Sequence, residues 1–152
     1  MIDDPAIYIG IGMILSLFLT ETLGVTAGGI IVPGYIAMNL EDPYRLLTTF
    51  SISIITFIII QLIGKMILIY GKRRLVFSLL IAFLLGYLSR TDYNIISKLT
   101  QLDFVVIGNI IPGLIANWMD RQGILRTICV ILITAGITKL FIMSLNLYTF
   151  TI

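Results

Sequence analysis

The sequence has 152 residues, of which 59% are hydrophobic and 12% charged, with a formal net charge of +2. Soluble domains run at about 45–50% apolar and about 25% charged, so this chain lacks the charge to cover a water-facing surface, and its mean hydropathy of +1.08 places most of it in lipid. The lack of histidine removes His-based triads, His-ligated zinc and imidazole bases, the lone Cys129 forms no disulfide within the chain, and so small a net charge gives no footprint for nucleic acid.

A bilayer-spanning helix needs about 20 apolar residues, so this length allows six spans and hardly a seventh, with no aqueous domain beside them. Met1-Ile2-Asp3-Asp4-Pro5 carries acids where a cleaved signal peptide wants Lys or Arg, and the first span, Ala6 to Thr20, reads as a retained helix closed by Glu21 and Gly24. The second, Val25 to Leu40, is broken by Gly28-Gly29 and Pro33-Gly34 and is followed by an acidic turn, Glu41-Asp42-Pro43. The third runs from Leu46 to Tyr70 and ends at Lys72-Arg73-Arg74; the fourth covers Leu75 to Leu88. The polar stretch Ser89 to Asp103 is long enough for a short surface helix. The fifth span, Phe104 to Met119, is broken at Gly108 and Pro112-Gly113; Asp120-Arg121-Gln122-Gly123 turns the chain into the last, Ile124 to Tyr148. Spans two and five are short for the hydrocarbon core and read as re-entrant or unwound segments.

Sliding the chain by 79 residues lays Ile31-Val32-Pro33-Gly34-Tyr35-Ile36-Ala37 over Ile110-Ile111-Pro112-Gly113-Leu114-Ile115-Ala116, with Gly29 on Gly108, Glu41 on Asp120 and Thr48 on Thr127. The matched segments are spans two and five, and an odd separation reverses their direction across the bilayer. The expected fold is therefore an all-α integral membrane protein. It is one membrane domain of residues 1–152, with six segments as a 3+3 inverted repeat (about 6–70 and 75–148) and two Pro-Gly-broken helices. Lys72, Arg73, Arg74, Arg121 and Arg126 fall on one side and Arg45, Arg90 and Lys98 on the other, which puts the first side in the cytoplasm and both termini outside.

Pro in a helix removes a hydrogen bond and clashes with the preceding turn; Gly beside it admits a neighbouring helix. Two such breaks free backbone groups that must be buried in protein or line a wet cavity. Pro33-Gly34 and Pro112-Gly113 read either as helix N-termini forming a site or path for carboxylates or as kinked helices packed tightly through small residues. Lys139, midway along the last span, needs a carboxylate, carbonyls or a wet cavity; Glu21 is its candidate partner, and snorkelling along a tilted helix is the alternative. Asn109 and Asn117 flank the second break and are placed to bond its freed backbone. Lys72-Arg73-Arg74 is a topology signal and headgroup anchor, or a cationic patch for an acidic partner or polyanion.

Glu21-Thr22-Leu23-Gly24, Ala27-Gly28-Gly29-Ile30-Ile31-Val32-Pro33-Gly34-Tyr35, Tyr70-Gly71-Lys72-Arg73-Arg74, Ile111-Pro112-Gly113-Leu114-Ile115-Ala116-Asn117 and Gln122-Gly123 follow one another in that order. In these motifs the chain resembles the CapC (PgsC) family, the small integral membrane subunit of poly-gamma-glutamate synthase, over about residues 5–148. The resemblance implies a complex in the bacterial plasma membrane. A Mur-ligase-like CapB/PgsB subunit activates glutamate with ATP and joins its gamma-carboxyl to the next amine. ATP and a divalent metal are expected on that partner, because this chain has no phosphate loop. A largely extracytoplasmic CapA/PgsA subunit is linked to export. The implied part of this chain is to anchor the ligase and help pass the anionic polymer outward, without a catalytic residue or cofactor of its own; nucleic acid is no expected partner, and homo-oligomerisation is left open. Thr22 stands where the family often has Lys, and Asn109 where an apolar residue is usual. A stand-alone inverted-repeat transporter or channel is the alternative reading.

Overall fold

A computed structural model describes residues 5–66, 71–100 and 106–150, and their side chains apart from 66, 90–100 and 148–150. The chain is all-helical over these residues: α1 (Pro5–Leu23), α2 (Val32–Met38), α3 (Pro43–Met66), α4 (Lys72–Thr100), α5 (Ile111–Gln122) and α6 (Ile124–Phe150). Among the described residues three stretches are long and apolar enough to cross a membrane, Pro5–Leu23, Pro43–Lys65 and Ile124–Leu147. Large apolar side chains such as Phe18, Leu62 and Leu140 stand exposed along them, as a surface wetted by lipid requires.

The helix boundaries follow backbone chemistry. Gly24 closes α1 through its N–H to the Thr20 carbonyl at 2.9 Å. Pro33 and Pro112 sit in the first turns of α2 and α5, where a missing N–H costs nothing. Gly123 separates α5 from α6 with φ +91, a conformation L side chains rarely adopt. The second span is helical only from Val32 to Met38, because Gly28 and Gly29 (φ +68 and +118) hold the preceding backbone out of the α region. Contrary to a fourth span ending at Leu88, α4 continues to Thr100. No Pro interrupts Ser89–Thr100, and polarity alone does not end a helix. The expected start of span five at residues 104–105 and the charges Asp3, Asp4 and Asp103 lie outside the described residues, as do the side chains of Arg90, Asp92 and Lys98.

Packing runs through glycines. A Cβ on Gly12 would lie 2.6 Å from the Gly34 Cα, and one on Gly34 would lie 2.7 Å from the Ile9 Cα, so α1 and α2 touch backbone to backbone. Likewise a Cβ on Gly113 would lie 2.9 Å from the Leu79 Cα, which sets α5 against α4. Beyond these pairs, α6 packs on α1 and α2, and α3 packs on α4 and α5. Exchanging α1 with α4, α2 with α5 and α3 with α6 maps this set of contacts onto itself. The result is two bodies, α1–α2–α6 and α3–α4–α5, which meet where α5 lies beside α6 and touches α2. The apolar core, including Val32, Ile36, Ile111, Ile115, Met119 and Ile131, fills that junction.

The buried faces of α3 and α6 also carry hydroxyls. Thr49, Ser53, Thr127, Thr134 and Thr138 each donate to the carbonyl four residues earlier at 2.7–2.8 Å, so they enter an apolar interior with that donor satisfied.

Candidate functional site between the broken helices

The two Pro-Gly helices begin in the same way. Ile31 (φ −88, ψ −29) caps α2 and Ile110 (φ −97, ψ −29) caps α5, neither with a side-chain hydrogen bond. Each follows a non-helical stretch containing positive-φ glycine, Gly28-Gly29 before α2 and Gly108 before α5. Such stretches leave backbone groups without helical partners, and in an apolar surrounding each needs another.

Side chains from the flanking helices supply them. The Ser16 hydroxyl on α1 donates to the Gly29 carbonyl at 3.5 Å. The Ser78 hydroxyl on α4 donates to the Gly113 carbonyl, within α5 itself, at 2.6 Å. Thr49 Oγ1 on α3 accepts from the Ile107 N–H at 3.0 Å while donating to its own helix at Arg45. The Gln122 carboxamide pairs with a whole peptide unit: Oε1 accepts from the Thr26 N–H and hydroxyl, each at 3.3 Å, and Nε2 donates to the Thr26 carbonyl at 2.6 Å.

Between the helix starts lies a groove of about 240 Å³, lined by Ile31 at the cap of α2, Tyr35 within α2, and Gly108, Asn109, Ile110 and Leu114 among others from the second half. Ile31 and Ile110, and Tyr35 and Leu114, are equivalent positions in the 79-residue overlay, so the groove sits where the two halves face each other. Its walls are mostly apolar. Among the described residues no group of three or more Cys, Asp or Glu side chains comes together to hold a metal ion.

The acids that keep register in the overlay each close an ion pair. Glu41, just beyond α2, takes Lys139 Nζ at 2.9 Å; Asp120, at the end of α5, takes Arg74 of α4. Lys139 therefore pairs with Glu41 and not with Glu21, which stands exposed on the last turn of α1. The pairing arises because α2 packs along α6 and delivers the turn after it to that helix. The hydrogen bond from Lys139, reinforced by its charge, holds the Glu41 carboxyl below its ordinary pKa.

The other expected site residues divide. Pro33, Gly34, Pro112 and Gly113 are buried, and both glycines face an outer helix, where they permit close contact. Asn117 is buried on α5, whereas Asn109 lines the groove with its Oδ1 buried beside Gly86. Lys72 and Arg73 are exposed, and Arg121 lies over the Trp118 ring at 5.3 Å from its centre. Thr49 and the Thr26–Gln122 pair, which serve the freed backbone, and Ser78, which bonds α5, are absent from the sequence-based expectation. Their signal was a hydroxyl recurring at helical spacing on α3 and the Gln beside the α5–α6 glycine.

The family model described as capsule biosynthesis CapC matches residues 11–128, which hold both broken helices, the Lys72–Arg74 run and Gln122. The chain belongs to the capsule biosynthesis CapC family. It is similar to the capsule biosynthesis protein CapC of Bacillus anthracis, 34% identical over 137 residues that cover 90% of this chain and 91% of the relative. It is also similar to the PGA biosynthesis protein CapC of Bacillus subtilis (strain 168), 31% identical over the same shares. No solved structure matches. The CapC match ends before Lys139, so the Lys139–Glu41 pair joins a residue inside the matched region to one beyond it.

Proposed function

We propose that this chain is the membrane subunit of a synthase complex that makes a capsular poly-gamma-glutamate polymer. In this reading it anchors the ATP-dependent amide ligase in the bacterial plasma membrane and assists synthesis or export. The observation that carries the reading is similarity along nine-tenths of the chain to a relative named for PGA biosynthesis. The ligase partner supplies ATP and a divalent metal, and an extracytoplasmic subunit receives the product.

The chain crosses the membrane six times as a 3+3 inverted repeat, with both termini outside. The contact set that survives exchange of the halves supports this, as do the matching N-caps of α2 and α5. The exposed Lys72 and Arg73, with Arg121 and Arg126 across the Arg74–Asp120 pair, then form a cytoplasmic basic surface for the ligase. The broken-helix junction, with Asn109 at its groove, is the part of the chain against which the anionic polymer moves. The N-terminal end of α5 carries partial positive charge, which supports an anionic group there.

Affinity purification of the chain from native membranes tests the assignment. It should co-purify an ATP-dependent ligase, and membranes lacking the chain should lose polymer synthesis. Transport of a small solute by the purified chain alone in liposomes, with no ligase retained, would replace this reading with that of a stand-alone transporter.

A further inference from the structure

The two bodies differ from the two sequence halves: each combines two helices of one half with the long third helix of the other. Ser16–Gly29 lies inside the body α1–α2–α6, where Lys139 of α6 also pins Glu41 of the connection leaving α2, while Ser78–Gly113, Ile107–Thr49 and Arg74–Asp120 lie inside α3–α4–α5. The backbone-to-backbone contacts at Gly34 and Gly113 are internal to the bodies as well. Each body is thus stiffened by directional bonds and by glycine contacts that leave no slack.

The seam between them is built differently. Away from Gln122 its contacts are mostly aliphatic, such as Ile115 of α5 against Gly28 before α2, and aliphatic contacts are non-directional and reform after a small slide. The groove between Ile31 and Ile110 interrupts it. The chain crosses the seam at two places, the Asn39–Asp42 connection and Gly123. Beside Gly123, the three bonds of the Gln122 carboxamide to Thr26 tie α5 to the unwound stretch of the other body.

We propose that the seam is a moving joint. The two bodies rotate against each other about the Asn39–Asp42 and Gly123 connections, the Ile31–Ile110 groove widens and narrows with that motion, and the Gln122–Thr26 pairing holds it narrow. Small sliding of packed helices is a common switching motion, and a packed interface of this kind has discrete alternative positions. The motion itself does not depend on the proposed function; its coupling to polymer output does.

The test is pulsed-EPR distance measurement on the full chain in nanodiscs, with Cys129→Ser to remove the native thiol. Nitroxides at Leu17 and Leu80, both exposed, report between the bodies; labels at Leu17 and Leu140 report within one. Gln122→Ala should broaden or shift the between-body distance by about 5 Å, the scale of a one-turn slide, and leave the within-body distance unchanged. Equal, unchanged distributions for both pairs would overturn the joint.

A second arm uses the assembled complex. A reducible cross-linker across Ile31→Cys and Ile110→Cys should cut polymer output at least about tenfold, a barrier effect of about 1.4 kcal/mol, with recovery on reduction. The reference is the same double-cysteine variant before cross-linking, and the reagent should not lower the output of either single-cysteine variant below its own untreated level. Full output from the cross-linked pair would also overturn the joint. If membranes lacking the chain made polymer normally, the proposed function would fall while the EPR result stood.

Discussion

Lys139 and Glu41 meet at 2.9 Å across 98 residues of sequence, and the contact joins the last helix to the turn between α2 and α3. The side chain of Lys139 is 20% exposed and that of Glu41 84%, so the carboxylate reaches in from the surface to a cation that is largely enclosed. This gives an otherwise costly lysine within an apolar span a defined counter-charge.

The pair has a pH signature with a fixed sign. The carboxyl of Glu41 titrates below its ordinary value of 4.5 in the folded protein. Its contribution is therefore fully present above that value and is lost as pH falls through the lowered folded value. The thermal midpoint of the reconstituted chain should decline across this acid range, and Lys139→Met should flatten that part of the curve. Parallel curves for the two proteins would mean the pair contributes nothing to folding.

The glycines give opposite expectations according to what surrounds them. Gly34→Leu forces a side chain into the Ile9 backbone and should cost at least the roughly 1–3 kcal/mol typical of overpacking, read as lost folded yield in detergent. Gly10 lies in the same helix system with nothing near its missing Cβ. Gly10→Ala should raise stability by about 0.5–1 kcal/mol through helix propensity, seen as a higher melting temperature.

Thr49 links a helix to an unwound segment through one hydroxyl. Thr49→Val keeps the shape and leaves the Ile107 N–H buried without an acceptor, a loss of about 1–3 kcal/mol. Hydrogen exchange at the Ile107 amide should accelerate in step with the lower stability, whereas Thr48→Val, at a more exposed position whose hydroxyl bonds only Tyr44 of its own helix, should change little.

Pro112 and Gly113 can be tested apart. Because Gly113 is a packing position against Leu79, substituting both residues would mix misfolding with loss of the break. Pro112→Ala alone should keep membrane insertion and reduce polymer output several-fold. Unaltered output would leave the break with a packing role only.

The broken helices were legible because Pro-Gly and positive-φ glycines act locally, and a 79-residue overlay finds them together with the acids that follow, Glu41 and Asp120. The overlay does not extend to the first helix of each half. Gly34 packs on Ile9 while Gly113 packs on Leu79, a separation of 70 residues on the outer helices against 79 on the inner ones. The difference reflects a longer route from α4 to α5 than from α1 to α2. The length of α4 is not legible, because hydropathy falls at Ser89 while no backbone breaker stands there to end the helix. The partner of Lys139 is hidden for a different reason: a local window contains no trace of a carboxylate delivered by another part of the chain.

The exchange of long helices between halves also orders the birth of the protein. The body α3–α4–α5 is contiguous and has all its parts once Gln122 is made, whereas α1 and α2 remain without their third helix until α6 is synthesised. The earliest segments to enter the membrane are thus the last to find their complete surroundings. A chain stopped at Gly123 would keep one finished body and leave two orphaned helices exposed to the quality-control machinery of the cell.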